Sequence, residues 1–458
     1  MSKILICFSS HIYVKDEFKI ISYYEGLIKE LHRHHNDVLV CNTADFLTKP
    51  WAGKNSESSI IDVSRLRSYV ENYSPDLIIS FNNSKLSFLE ELECPIIIWQ
   101  ADSFEFYNDK ETIKSNPNRY LYFGLSDDDQ PLLRNIGVNK DNLFVVPSGT
   151  TVCASSIEQD KSISFIGSNF ISSGSLTKLL IKDNTKDVRD ALKFLSENFY
   201  IDSDEYLNKH DLGHVSEYMD HGEISTISSC QNRINVLGVL LELGLELYGS
   251  RGWLTNAKYY PGLALAFNSK TVYSVQDNQD IYNSSKLCLN ISHAQAVGAF
   301  PWRIMDIMAS NGCLLSNYNK GVRDFASSYI DLPMYKSSGE AYSIAKKLLK
   351  DDVYRRELVE GSQICIEEKG RWKHRFEEIE MMTGIKIDNT NKSGECSVTI
   401  LQSSEYVKES YRQAIKFAAL VAKSAPRALY SPVYNSLVKM GFEIDYRTVK
   451  KIMEDNDV

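Results

Sequence analysis

The stretch that decides the reading of this chain is Tyr282-Asn283-Ser284-Ser285-Lys286-Leu287-Cys288-Leu289-Asn290-Ile291-Ser292-His293. After a loop, Pro301-Trp302-Arg303-Ile304-Met305-Asp306-Ile307-Met308-Ala309-Ser310-Asn311-Gly312-Cys313-Leu314-Leu315-Ser316 follows. The first part reads as a strand ending in a polar loop, the second as a helix and a further strand. In that arrangement the helix N-terminus faces the carboxyl end of the strand, where unpaired backbone N–H groups and the helix dipole hold anions. Arg303 can clamp a phosphate or carboxylate bidentately, and Asp306, one turn on, can accept two hydroxyl hydrogen bonds. The same spacing also fits a solvated helix end with a surface Arg–Asp pair.

Working outward, the pattern repeats on both sides. Ile4-Leu5-Ile6, Val38-Leu39-Val40, Leu77-Ile78-Ile79, Ile96 to Trp99, Tyr120 to Phe123 and Phe144-Val145-Val146 are short apolar runs. Helical patterns at Glu17–His32, Ser64–Asn72 and Leu86–Leu92 alternate with the earlier runs. Continuous apolar runs separated by helices indicate a parallel sheet buried on both faces. A second round starts at Ile163-Ser164-Phe165-Ile166, which runs into Gly167-Ser168. A helix at Thr226–Gly244 and the run Leu245 to Tyr248, which leads into Gly249-Ser250, come next.

The expected fold is therefore α/β, with two doubly wound Rossmann-like domains at 1–148 and 161–336, joined by a linker at 149–160. Ligands of such folds bind in the cleft between the carboxyl ends of the strands. Closing helices are expected at 337–387, a polar break at 388–402 and a helical tail at 403–458. The tail reads as a helix pair that packs on the body or leads to a further module, with a membrane-surface helix as the sharper alternative.

Composition narrows the partners. With 51 Lys+Arg against 60 Asp+Glu in 458 residues, the formal charge is −9, which argues against general nucleic-acid binding. The start of the chain enters a strand without a signal-peptide pattern, and no apolar run reaches the roughly 18 to 20 residues of a membrane span. The nine cysteines are scattered singly and read as reduced core residues of a cytoplasmic protein.

Further candidates follow from position. Ser225, Ser228 and Ser229 are plausible N-caps, which would bring Asn232 and Arg233 into the first turns of a helix pointing at the cleft. Arg233, Arg251, Lys286, His293 and Arg303 stand at strand ends or helix starts and could converge on an anion. Ser9-Ser10-His11 follows the first strand and should line the opposite side. His32-Arg33-His34-His35 reads as a helix C-terminus complementing its dipole, and Asp127-Asp128-Asp129 as an N-cap. No HExxH or P-loop sequence occurs, and no metal site is expected.

The pattern across residues 282–316 resembles the second-domain signature of GT-B glycosyltransferases, particularly the spore-coat-maturation-like branch. The resemblance implies a nucleotide-sugar donor and no cofactor, the leaving nucleotide being stabilised by cations and a helix dipole. It places Gly167, Ser168, Tyr248, Gly249, Ser250, Arg251, Tyr282, Lys286, Asn290, Ser292, His293, Arg303 and Asp306 on the donor side, with Asp306 at the ribose. Ser9, Ser10 and His11 fall on the acceptor side. The retaining branch often has a Glu eight residues before Asp306, where this chain has Gly298.

The helix around Asn232 is similar to that of retaining β-Kdo transferases of bacterial O-antigen and capsule synthesis. That resemblance implies transfer of Kdo from CMP-Kdo, with retention, to a glycan or lipid-linked glycan acceptor, in the cytoplasm or at the inner face of the cytoplasmic membrane. It puts a nucleophilic carboxylate at Asn232, and an amide cannot attack an anomeric carbon. The chain is then either silenced or uses another carboxylate, with Asp102 and Glu158 in reserve. The alternatives are a hexosyl- or heptosyltransferase using a UDP, GDP or ADP donor, and a non-catalytic glycan- or nucleotide-binding module.

Overall fold

The computed structural model describes all residues except 1, 11, 15–16, 47–59, 171–184, 199–202, 218–220, 256, 296–297, 392–393, 425–429, 443, 445 and 455–458. The first sheet is built from β1 (Lys3–Phe8), β2 (Asp37–Asn42), β3 (Leu77–Phe81), β4 (Ile96–Trp99), β5 (Tyr120–Gly124) and β6 (Leu143–Val145). All its pairings are parallel. Successive side chains of a strand point to opposite faces, so Leu5, Leu39 and Ile78 enter one core while Ile4, Val38 and Ile79 enter another. Both faces are covered, which is why the strands read as unbroken apolar runs. Each such Ile or Leu contributes about 1.5–3 kcal/mol through burial.

The second sheet holds β7 (Lys161–Gly167), β8 (Leu245–Gly249), β9 (Ser285–Asn290), β10 (Cys313–Asn317) and β11 (Met334–Tyr335), in the order β8-β7-β9-β10-β11 and again parallel. The strands of this second sheet all lie within 161–336. Helices Ser338–Lys350, Asp352–Lys369 and Trp372–Thr383 follow. The last of these returns to the first half, where Trp372, Phe376 and Ile379 join the core of Ile4, Ile79 and Trp99. The linker packs against it so closely that a Cβ on Gly149 would lie 2.7 Å from the Trp372 backbone N.

Several local expectations differ from the structure, including the helix pair expected in the tail, which has three helices. The first helix spans Ser22–Arg33, not Glu17–His32, and the Leu86–Leu92 pattern is a 3-10 turn at Ser87–Glu91. The polar break is not wholly irregular, because Val398–Ile400 forms β12 beside β2 and gives the first sheet the order β12-β2-β1-β3-β4-β5-β6. β12 is a strand by pairing alone, since all three of its residues are exposed at the sheet edge.

The tail has three helices, Glu409–Ser424, Tyr430–Lys439 and Tyr446–Glu454. They enclose Tyr411, Ala414, Ala418, Leu437 and Val449, and the cluster reaches Ile60 and Val407 of the join to the first half. Lys408 N donates to Ile60 O at 2.9 Å and Asp62 N to Tyr406 O at 2.7 Å, fixing that join.

All nine cysteines are free, and Cys7, Cys41, Cys288, Cys313 and Cys365 are buried. Among the described residues no helix is long and apolar enough to cross a membrane.

Candidate active site

Between the carboxyl ends of the two sheets lies a cleft of about 890 Å³. It gathers Ser9 and Asp102 from the first half and Gly167, Ser168, Arg233, Gly249, Ser250, Tyr282, His293, Arg303 and Asp306 from the second. Its floor is bare backbone, because β7 and β8 end together with Gly167 paired to Gly249. Gly249 has φ +110, and a Cβ there would lie 2.8 Å from Gly167 O, so only glycine fits.

Two guanidinium groups stand above this floor. Arg233 is 2% exposed. Its Nη1 donates to Ser168 O and its Nη2 to Ile291 O at 3.1 Å. The group also lies 3.9 Å from the centre of the Phe170 ring. Burial, and then the charge of Arg303, hold its pKa well below the usual arginine range. Arg303 shares the Phe165 ring with it, at 5.7 Å against 5.3 Å for Arg233. The Nη1 of Arg303 is buried and has no hydrogen-bond partner, which marks it as a donor awaiting an acceptor. Trp302, the residue before it, is inserted into the core of the first half and packs edge-on against Tyr23, Phe81 and Trp372.

Asp306 accepts a hydrogen bond from Thr150 Oγ1 of the linker at 2.6 Å. Burial pushes its pKa up to about 6, against the pull of the Thr150 and Asn278 hydrogen bonds and of Arg371 and Arg303. On the facing wall Asp102 accepts from Asn82 Nδ2 at 2.9 Å and from Gln295 Nε2 at 3.2 Å across the cleft. Its carboxylate is open to the water of the cleft, yet the protein mass around it raises its pKa, while the two amides draw it down.

The rest of the sequence-derived set lies elsewhere. The Ser225 region is not a helix start, because the helix spans His221–Leu240 and the three serines are inside it. Ser229 Oγ donates back to Ser225 O at 2.6 Å and accepts from Ala294 N at 2.8 Å, holding the loop after β9. Asn232 is therefore mid-helix rather than in the first turns, buried, and not among the residues lining the cleft. Glu158 is exposed in the linker and Arg251 is exposed beyond Ser250.

Lys286 lies within reach of the charge of Asp352, and Tyr248 donates to Glu246 Oε2 at 2.6 Å. Asn290 and Ser292 join a buried network with Ser316 and Asn317 below the floor. Ser10 is tied to Asn42 and Lys19, and His11 lies outside the described residues. Asp129 occupies an N-cap position without capping through its side chain, which accepts from Phe104 N at 2.8 Å instead. His34 ends its helix as expected and pairs with Asp388 at 3.0 Å.

Several cleft residues were not singled out in the sequence. Tyr23, Tyr24 and Phe106 line the first-half wall, and Asn278 and Gln295 the second-half side. Asp128 crosses to the second half, accepting from Gly298 N at 2.7 Å and Ala299 N at 3.3 Å. A Cβ on residue 298 would come within 2.7 Å of that carboxylate. The only advance signal for these residues was their place just after strands or at a helix start.

With the geometry in hand, comparisons with known proteins are informative. Residues 233–381 match a family described as glycosyl transferase-like. Sucrose-phosphate synthase from Thermosynechococcus elongatus aligns over 83% of this chain and 98% of its own, at 9% identity and a TM-score of 0.50. HepE of Anabaena, solved with UDP and glucose, covers 84% of this chain and 100% of its own at 12% identity and a TM-score of 0.44. WaaG, a glycosyltransferase involved in lipopolysaccharide biosynthesis, covers 83% and 100% at 9% identity and a TM-score of 0.41. No curated protein matches the chain in sequence. The comparisons thereby define the fold, GT-B, and a resemblance to a glycosyl transferase-like family confined to residues 233–381.

Proposed function

We propose that this chain is a glycosyltransferase that holds a nucleotide sugar in the cleft and passes the sugar to a glycan acceptor lying on the first half. The observation that carries the reading is Arg303. Arg303 lines a cleft floored by glycine backbone, at the place where a parallel α/β sheet binds anions, and keeps a buried guanidinium nitrogen without a partner. In this reading Arg303 clamps a donor phosphate, and Asp306 offers its remaining lone pairs to the ribose hydroxyls. On the acceptor side Tyr23 and Phe106, each partly exposed in the cleft, offer flat apolar surfaces to a sugar ring, while Asp102 accepts from its hydroxyls.

The favoured donor is CMP-Kdo, transferred with retention to a bacterial surface polysaccharide. Neither Arg233 nor Arg303 forms an ion pair with a described carboxylate, and a sugar that carries its own carboxylate beside the phosphate supplies two anionic groups to this cationic wall. A hexose or heptose on UDP, GDP or ADP would also supply two anionic groups, both of them phosphates, so the nucleotide series is what separates the donors. A thermal-shift series with CMP, UDP, GDP and ADP tests both levels. Stabilisation by CMP supports the full reading. Stabilisation by another nucleotide alone removes Kdo and keeps the glycosyltransferase, and no response to any nucleotide overturns the donor site. The anomeric configuration of the product, read by NMR, tests retention.

A further inference from the structure

We infer that the tail bundle carries a docking face for an anionic lipid surface, centred on the helix Glu409–Ser424. The helix turns Tyr411, Ala414, Ala418 and Ala422 into the bundle core. Arg412, Lys416, Leu420 and Lys423 follow one another at spacings of four, four and three, which places them in one stripe on the opposite side. All four are exposed, and Phe417 lies beside Leu420 on the same side. Leu420 is 60% exposed and Phe417 is 38% exposed.

The charge pattern selects the occupant. No described carboxylate forms an ion pair with Arg412, Lys416 or Lys423, whereas elsewhere on this acidic chain such pairs recur on helix surfaces, as in Lys29–Glu25, Arg67–Glu71 and Lys320–Asp324. The segment 403–458 carries 9 Lys+Arg and 7 Asp+Glu, a balance of +2. The other 402 residues therefore hold 51 less 9 cations and 60 less 7 acids, a balance of −11. The tail segment is therefore net positive on a chain that is otherwise net negative. Cations flanking exposed Leu and Phe on one helix face form the pattern that lies in a headgroup layer, where apolar side chains sink and cations meet lipid phosphate. A soluble acidic partner would match the cations but gives no reason for the exposed Leu420, or for the outer face of Phe417, whose other face stacks on Phe442.

The position on the body adds a consequence. The bundle is tied through Ile60, Asp62 and Tyr406 to the first half, which forms the acceptor wall of the cleft. Docked through this face, the chain keeps its acceptor side near the membrane, where a lipid-linked glycan would be found. The docking face itself does not depend on the identity of the donor.

The test is sedimentation of the full chain, without nucleotide, with vesicles of phosphatidylcholine containing about a third phosphatidylglycerol, against pure phosphatidylcholine vesicles. The expected result is sedimentation with the anionic vesicles only, release at high salt, and loss on the triple change R412E, K416E and K423E. At roughly fivefold per cation near an anionic surface, removing three cations lowers partitioning by about a hundredfold. Leu420→Ser should weaken binding further without altering thermal unfolding. No sedimentation with anionic vesicles, or binding untouched by the triple change, overturns the proposal. So does a dimer in light scattering that Leu420→Ser abolishes, since the face would then belong to a second copy. Because no nucleotide is present, failure here leaves the glycosyltransferase reading intact, and failure of the nucleotide series leaves this one intact.

Discussion

The two walls of the cleft are made from the same kind of element, the carboxyl ends of parallel strands, and they differ in charge, since both arginines that line the cleft belong to the second half. The second-half wall offers glycine backbone at Gly167 and Gly249 and two guanidinium groups at Arg233 and Arg303. The first-half wall offers Tyr23, Tyr24, Phe106 and the Asp102 carboxylate. The strands themselves do not differ in kind, since both sheets bury apolar side chains on both faces. The difference lies in the residues just past the strand ends, where side chains leave the sheet. One scaffold thereby makes a wall with two guanidinium groups and a facing wall without them, both lined in part by aromatic rings, and a substrate with an anionic end and a sugar end can span the two.

Within the cationic wall the two arginines are not equivalent, and mutation separates them. Arg233 is enclosed, with carbonyl partners at Ser168 and Ile291 and an aromatic face at Phe170. Replacing it with Ala leaves those carbonyls without a donor and opens a cavity, so Arg233→Ala should cost about 3 kcal/mol of stability in urea unfolding. Each keeps one buried nitrogen without a partner, Nε in Arg233 and Nη1 in Arg303, but Arg303 is the less buried of the two. Arg303→Ala should leave the urea midpoint nearly unchanged and weaken the stabilising nucleotide by about 2 kcal/mol, or roughly thirtyfold, in calorimetric titration. If Arg303→Ala unfolds the chain and Arg233→Ala only weakens binding, the roles are reversed and the donor wall must be redrawn.

The contrast also explains what could be read in advance. A parallel sheet covered on both faces leaves apolar runs that no surface requirement interrupts, so the strands, their grouping into two halves and the cleft were legible. Residues fixed by the end of a strand or the start of a short helix were legible too, as with Gly167, Ser168, His293, Arg303 and Asp306. Asn232 was misplaced because the helix begins at His221, and small serines inside a packed helix look like caps when the start is unknown. Asp128 was read only as part of an N-cap, and Gln295 and Tyr23 were missed, because their partners belong to the facing half, and no local period encodes how two halves meet. β12 was missed for a related reason, since an exposed edge strand has no apolar alternation to declare it.

Asp306 tests the electrostatics of the cationic wall. An ordinary unfolded Asp has a pKa near 3.9, and burial raises it here to about 6, so the folded state holds a proton the unfolded state releases. A raised carboxylate costs stability once it ionises. The cost is absent below about pH 4, grows to about pH 6 and is fully present above it. Asp306→Asn keeps an oxygen for Thr150 Oγ1 and removes the charge. At pH 7.5 it should raise stability by about 1–2 kcal/mol, a figure reduced for partial exposure, while at pH 4 the two proteins should unfold alike. Equal urea midpoints at both pH values would mean that the nearby cations fully compensate the buried charge.

The smallest expected effect probes the join between the walls. Asp128 is exposed, yet its carboxylate receives two backbone N–H groups of the loop that leads to Arg303. Charge-assisted bonds to backbone donors are the stronger kind, but an exposed acceptor loses little when water can replace it, so Asp128→Ala should cost about 1 kcal/mol or less in unfolding. Its more telling effect is on the loop. Gly298 has room for no Cβ while Asp128 occupies that space, so Gly298→Ala should perturb the loop in the parent chain and be tolerated in the Asp128→Ala background. Such non-additivity in a double-mutant cycle, read from unfolding free energies, is what direct contact across the cleft requires. Additive single effects would mean that the two halves meet without this contact, and that the cationic wall keeps its shape independently of the facing one.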